Sequence, residues 1–148
     1  MADLKYFNYE NYGTYALENF AYNQAVRVGD KIELSGQGGW DPVAIPPTFA
    51  ADLRSQVDQA FRNIDLALKA AGGKGLSQVY RITSYHPKDC GNAMPTMKEN
   101  LIKWFPDHKP IWTAVGVENL GLPEMLVEIE AVAYDPQGAA AGRPEDWL

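Results

Sequence analysis

Cysteine and histidine are scarce in this chain of 148 residues, which has one cysteine, Cys90, and two histidines, His86 and His108. A single cysteine excludes an internal disulfide and a cysteine-rich zinc cluster. Two histidines leave little for a histidine metal site. We therefore predict no metal, and we predict no cofactor because the glycines of residues 36–39 lack the spacing of a phosphate-binding loop.

Basic side chains are also few, with 13 Lys and Arg against 19 Asp and Glu and a net charge of −6. Phosphate groups are bound by Lys and Arg, so this balance disfavours nucleic acid and anionic membranes as partners. No apolar run approaches the roughly 18–20 residues that span a bilayer. The first ten residues do not resemble a secretory signal. We expect a soluble protein of the reducing cytoplasm.

The length is that of one ordinary domain, and 46% hydrophobic residues are enough to form a core. We predict a single domain over residues 1–148, with its core at about 21–135 and an extended C-terminal tail at 136–148. Residue periodicity predicts strands at 24–28, 31–36, 78–85, 111–118 and 125–134, a possible edge strand at 5–9, and helices at 50–71 and 93–104.

Helices that alternate with strands predict an α+β fold, in which one mixed β-sheet carries two helices on one face. In the last strand, the alternation directs Val127 and Ile129 toward the helices and Glu128 and Glu130 to the second face. The neighbouring strand contributes Trp112, with other small and apolar residues, to that second face. This mixed surface favours burial against another subunit, although an ordinary, partly exposed sheet remains an alternative.

Four segments together resemble the Rid family, also called the YjgF/YER057c/UK114 family. They are residues 21–26, residues 28–37, which end in Ser35-Gly36-Gln37, the end of the predicted helix at residues 70–73, and residues 126–133, which read LVEIEAVA. The resemblance covers residues 21–135 in the right order. It implies a chorismate-mutase-like fold and a homotrimer whose three sheets form a central barrel with the helices outside. It also implies small-molecule pockets that are shared between adjacent subunits.

The family's founding activity, by this resemblance, is the hydrolysis of reactive enamines and imines to a 2-keto acid and ammonia. An arginine in a Pro-x-Arg-Ser/Thr segment holds the substrate carboxylate in the family. The matching segment here is Pro110-Ile111-Trp112-Thr113, so Trp112 occupies the arginine position. An indole offers one N–H donor where a guanidinium offers a bidentate pair. This departure argues against standard 2-imino acid hydrolysis, and Arg81 is the candidate substitute.

Other pocket positions match the family. Tyr22 corresponds to the aromatic pocket wall, Ser35 to the serine of the Ser-Gly-Gln segment, and Glu128 to the glutamate that positions the reactive water. Glu128 and Glu130 lie two apart on a strand and so share a face, where mutual repulsion raises one pKa. For Glu130 the alternative is an ion pair across the subunit interface.

Two functional hypotheses follow from the resemblance. The first is a Rid-like enzyme that acts on an enamine, an imine or a related unsaturated metabolite, with Glu128 as acid and base. The second is a non-catalytic ligand-binding or regulatory trimer. A ribonuclease activity has also been attached to the family, but the net charge of −6 disfavours it. His86 and Cys90, in a predicted loop, and His108 are expected to be structural.

Overall fold

The computed structural model describes residues 4–88 and 90–141. Its elements in chain order are β1 (Lys5–Phe7), α1 (Tyr12–Phe20), β2 (Ala25–Val28), β3 (Lys31–Leu34), β4 (Gln37–Gly38), α2 (Leu53–Ala70), β5 (Val79–Pro87), α3 (Cys90–Trp104), β6 (Ile111–Val117), β7 (Glu128–Tyr134) and α4 (Pro136–Ala141). A short 3₁₀ helix, Leu76–Gln78, precedes β5.

The strands form one mixed sheet in the order β1-β2-β3-β7-β5-β6, and β4 pairs with β7. All pairs are antiparallel except β5–β6, which is parallel. The connection between the parallel strands contains α3, as a parallel pair requires a crossover. The predicted α+β class with a single mixed sheet is therefore confirmed.

Helix α2 forms where the sequence shows an apolar stripe at three- and four-residue steps. Val57, Phe61 and Ile64 on this stripe are fully buried. The Asp52 side chain caps the first turn by accepting a hydrogen bond of 2.9 Å from the Ser55 backbone N–H. The helix ends at Ala70, followed by Gly72 at a φ of 83°. α2 packs on β3, β4 and β7, and α3 packs on β5, β6 and α2, so both helices cover one sheet face.

Three segments differ from the prediction. Tyr12–Phe20 form helix α1, whose periodicity is hidden by its Tyr and Asn residues. Pro136–Ala141 form a short helix rather than the predicted extended segment, and residues 142–148 lie outside the described residues. His86 belongs to strand β5 and not to a loop.

The face of the sheet away from α2 and α3, here called the open face, is covered by no layer formed by residues 4–88 and 90–141. One row of register partners crosses it from edge to edge, and its members are Tyr6, Val26, Glu33, Val132, Arg81 and Ile111. Tyr6 and Ile111, at the two ends of the row, are 53% and 65% exposed. On β7, Ile129, Ala131 and Ala133 are buried as predicted, which places Glu128 and Glu130 on the open face.

The C-terminal helix is anchored by the largely buried carboxylate of Asp135. Its Oδ2 lies 2.6 Å from Nη2 of Arg27, and its Oδ1 accepts hydrogen bonds from Gln78 Nε2 and the Gly138 backbone N–H. Burial alone would favour the neutral acid, but the hydrogen bonds from Arg27, Gln78 and Gly138 hold the pKa of Asp135 below its ordinary value.

We expect Asp135→Ala to lower the free energy of unfolding by about 3 kcal/mol, because Arg27 would stay largely buried without its counter-charge. In a domain of this size that corresponds to a drop in Tm of roughly 6–12 °C. Since the folded pKa is lowered, the contribution exists above the ordinary pKa of 3.8 and is lost as the pH falls through the folded value. Thermal melts should therefore show a large difference in Tm between Asp135→Ala and the wild type at pH 7, and a smaller difference at pH 3. Asp107→Ala, at an exposed aspartate, is the control.

Candidate functional site

Glu128 opens strand β7, where it pairs with Gly38 of β4 and with Tyr85 of β5. Its side chain packs directly on the backbone of Gly36, since a Cβ added at Gly36 would lie 2.5 Å from Glu128 Oε1. Any larger residue would displace the carboxylate. This contact explains the glycine of Ser35-Gly36-Gln37, and it places that segment beside Glu128.

Two tyrosines lie next to this carboxylate. The phenol oxygens of Tyr12 and Tyr22 are 3.2 Å apart. Burial raises the pKa of Tyr12, and the nearby Tyr22, Tyr9 and Glu128 raise it further. The Tyr12 phenol therefore stays neutral, and one hydroxyl of the pair remains available as a hydrogen-bond donor. Tyr22 was predicted from the resemblance, whereas Tyr12 was missed because α1 was not recognised.

Glu128 also has a second carboxylate nearby. Burial raises the pKa of Glu128, and the negative charge of Glu130 adds to the effect. Glu130 itself accepts a hydrogen bond of 2.6 Å from the Tyr85 phenol, and this bond raises the pKa of Tyr85. Glu130 thus has a hydroxyl partner within the protomer. The Glu128 carboxylate has no hydrogen-bond partner in the described part of the chain, which leaves its oxygens free for a ligand.

The position of Ser35 is fixed by two hydrogen bonds to the backbone of Gln24. The N–H and the Oγ of Ser35 both donate to the Gln24 carbonyl, at 3.0 and 3.2 Å. Behind it, a buried chain of hydrogen bonds runs from Trp40 Nε1 to the Tyr9 hydroxyl, from that hydroxyl to Gln37 Oε1, and from Gln37 Nε2 to Gln24 Oε1. This network holds the segment that carries Ser35 and Gly36 in one position, so it preorganises the contact with Glu128.

Trp112 lies on the opposite side of the sheet from Glu128. It is the register partner of Ile82, which is fully buried beneath the helices. Its indole N–H donates to Ser84 Oγ at 2.8 Å, and the ring packs against the hydrophobic core. The prediction that placed Trp112 on the second face is therefore wrong, because β5 contains a register shift between Val79 and Arg81 that the sequence does not reveal.

Ser84 connects Trp112 to a buried histidine. His86 Nε2 lies 2.8 Å from Ser84 Oγ, and burial lowers the pKa of His86. Within the described part of the chain, His86 Nδ1 has no hydrogen-bond partner. His108 Nε2 bonds to the Val79 carbonyl at 2.6 Å. His86 is buried on the helix side of the sheet and His108 is exposed, so neither joins Glu128, and the Cys90 side chain lies outside what the structure describes.

Arg81 lies on the open face but not beside Glu128. It is exposed and is the register partner of Val132, four residues along β7 from Glu128. At about 3.3 Å per residue, the two backbone positions are about 13 Å apart. Within one protomer the structure therefore brings together Tyr22, Ser35 and Glu128 of the predicted site residues. It does not bring Arg81 or Trp112 to them.

Two further structural findings concern the described residues only. They contain no group of three or more His, Cys, Asp or Glu side chains that could hold a metal ion. They also contain no helix that is long and apolar enough to cross a membrane.

The fold and this site agree with one protein family. A family model described as Endoribonuclease L-PSP matches residues 16–135. The chain belongs to this family, which is the Rid or YjgF/YER057c/UK114 family. Membership supports a function in small-molecule imine or enamine chemistry.

Individual relatives give the same assignment. A RutC family protein of Pyrococcus abyssi is 34% identical over 113 residues, covering 76% of this chain and 85% of the relative. A 2-iminobutanoate/2-iminopropanoate deaminase of Dermatophagoides farinae is 31% identical over 75% of this chain and 83% of its own length. The solved structure of protein YjgH superimposes with a TM-score of 0.75 at 31% identity, covering 89% of this chain and 95% of the other. YjgH is a RutC family protein of Escherichia coli.

Proposed function

We propose that this protein is an enzyme that hydrolyses a reactive imine, or the enamine tautomer of one, with Glu128 as acid and base. The observation that carries the proposal is the partly buried Glu128 carboxylate, which packs on Gly36, has a raised pKa and lies near the neutral phenol of Tyr12. A carboxyl group with a raised pKa both accepts and donates protons near neutral pH. The similarity to the 2-iminobutanoate/2-iminopropanoate deaminase supports imine chemistry.

In this proposal, Glu128 accepts a proton from water as the water oxygen bonds to the imine carbon. The protonated Glu128 then gives this proton to the nitrogen, which forms a carbinolamine. A second transfer through Glu128 moves the hydroxyl proton to the nitrogen as the carbon–nitrogen bond breaks, so that ammonia leaves and a carbonyl group forms. Tyr22 forms an aromatic wall, and Ser35 orients the substrate by its hydroxyl oxygen. Glu130 lies on the same strand face and is held by the hydrogen bond from Tyr85, but it takes no part in the proton transfers.

The proposal includes a homotrimer with pockets shared between subunits. The supporting observation is the open face, where large apolar side chains such as Tyr6 and Ile111 stay exposed in the protomer. Light scattering on the purified protein should give close to three times 16.4 kDa. A stable monomer at micromolar concentration contradicts both the trimer and the shared pocket.

The enzymatic proposal is tested with imines that an amine or amino-acid oxidase generates in situ. We expect release of the carbonyl product to be faster with the protein than in buffer with the same oxidase. Bovine serum albumin at equal concentration controls for non-specific catalysis. If every imine hydrolyses at the buffer rate while the trimer binds ligands, the non-catalytic ligand-binding alternative is correct instead.

A further inference from the structure

The surroundings of Glu128 are acidic and aromatic. Two carboxylates, Glu128 and Glu130, lie on one face, and Glu128 is near the Tyr12 phenol, whose oxygen lies 3.2 Å from that of Tyr22. Neither glutamate forms an ion pair with a basic residue in the described part of the chain. Arg81, on the same face, is about 13 Å along the sheet from Glu128, although it lines one cavity with Glu130.

This environment discriminates between ligand charges. A second negative charge brought to Glu128 is repelled by both carboxylates, and partial burial reduces the screening by water. A planar cation is attracted instead, since it pairs with a carboxylate and interacts favourably with aromatic faces. Trp112, in the position where the family has its arginine, adds no positive charge and points to the other side of the sheet.

We propose that the site takes imines that carry no carboxylate and that react as the iminium cation. This inference rests on the proposed function. Water adds to the carbon of R₂C=NH₂⁺, and Glu128 passes one water proton to the nitrogen. The carbon–nitrogen bond then breaks as the remaining hydroxyl proton also passes through Glu128 to the leaving nitrogen, and the products are a ketone or aldehyde and ammonium. Atoms and charge balance, and no further reactant is needed.

Binding of two matched probes tests the ligand class without turnover. Benzamidine is a planar amidinium cation at neutral pH, and benzoate is a carboxylate of nearly the same shape. In titration calorimetry we expect benzamidine to bind at least 10-fold more tightly than benzoate. Glu128→Gln should weaken benzamidine binding roughly 10-fold, and Glu124→Gln, at an exposed glutamate, should not change it.

The inference is overturned if benzoate binds more tightly, if both probes bind equally, or if neither binds. It is also overturned if benzamidine binding is insensitive to Glu128→Gln. Turnover separates it from the proposed function. The imine of benzylamine and the imine of phenylglycine differ by one carboxylate, and we expect the first to be hydrolysed at least 10-fold faster relative to buffer. Equal acceleration of both supports imine hydrolysis but overturns the charge selectivity. If benzamidine binding depends on Glu128 but the hydrolysis of neither imine is accelerated, the cationic ligand class is supported and the proposed enzymatic activity is overturned.

Discussion

Replacing Glu128 with Gln should lower the rate of imine hydrolysis roughly 10²–10⁴-fold, because the amide keeps the size of the side chain but cannot accept the proton from water. The fold and the assembly should persist, since Glu128 forms no hydrogen bond with the described residues that the change would break. The measurement is carbonyl release with the imine of benzylamine, together with circular dichroism and light scattering of the variant.

Glu130→Gln is the matched control on the same strand face. Its carboxylate already accepts a hydrogen bond from Tyr85, and an amide oxygen can accept the same bond. We expect this variant to affect assembly more than turnover. Full activity of Glu128→Gln toward a substrate that the wild type hydrolyses would remove Glu128 from the mechanism.

Hydrolysis of 2-iminopropionate and 2-iminobutyrate should be close to the buffer rate. Loss of a bidentate pair between a guanidinium and the substrate carboxylate costs on the order of 2–4 kcal/mol, which is roughly 30- to 1,000-fold in rate. Neither Trp112, which is bonded to Ser84, nor the distant Arg81 supplies that pair within the protomer. The assay couples an amino-acid oxidase to 2-keto acid detection.

An arginine-containing family member serves as the positive control in this assay. Arg81→Gln should leave the low rate unchanged, because Arg81 is not beside Glu128. A wild-type rate similar to that of the positive control would refute the prediction. A fall of that rate in Arg81→Gln would further show that Arg81 reaches the pocket from a neighbouring subunit.

Much of the architecture could be predicted from residue patterns. The stripe of α2 is long and regular, so its identity as a helix on the sheet follows from periodicity alone. The alternation in β7 correctly separates Ile129, which is buried, from Glu128 and Glu130 on the open face. The family segments identified Tyr22, Ser35 and Glu128, which the structure places close together.

Other features depend on the partner strand or on tertiary packing. The face of Trp112 is fixed by its register with Ile82 and by the irregularity in β5, neither of which is a property of the local sequence. Helix α1 is stabilised by tertiary contacts, among them the stacking of Tyr12 on Trp40 at 4.0 Å. The contact between Glu128 and Gly36 joins residues that are far apart in the chain.

The two edge strands of the sheet differ in length and in charge. Strand β1, at one border, has three residues and includes Lys5, whereas β6, at the other, has seven residues, IWTAVGV, without a charge. A long, uncharged border strand offers its backbone N–H and C=O groups as a template for strand addition by any other chain. In the proposed trimer, protomers that separate on dilution or heating would therefore self-associate through β6. For this protein, thermal inactivation should be governed by a rate of irreversible precipitation that increases with concentration.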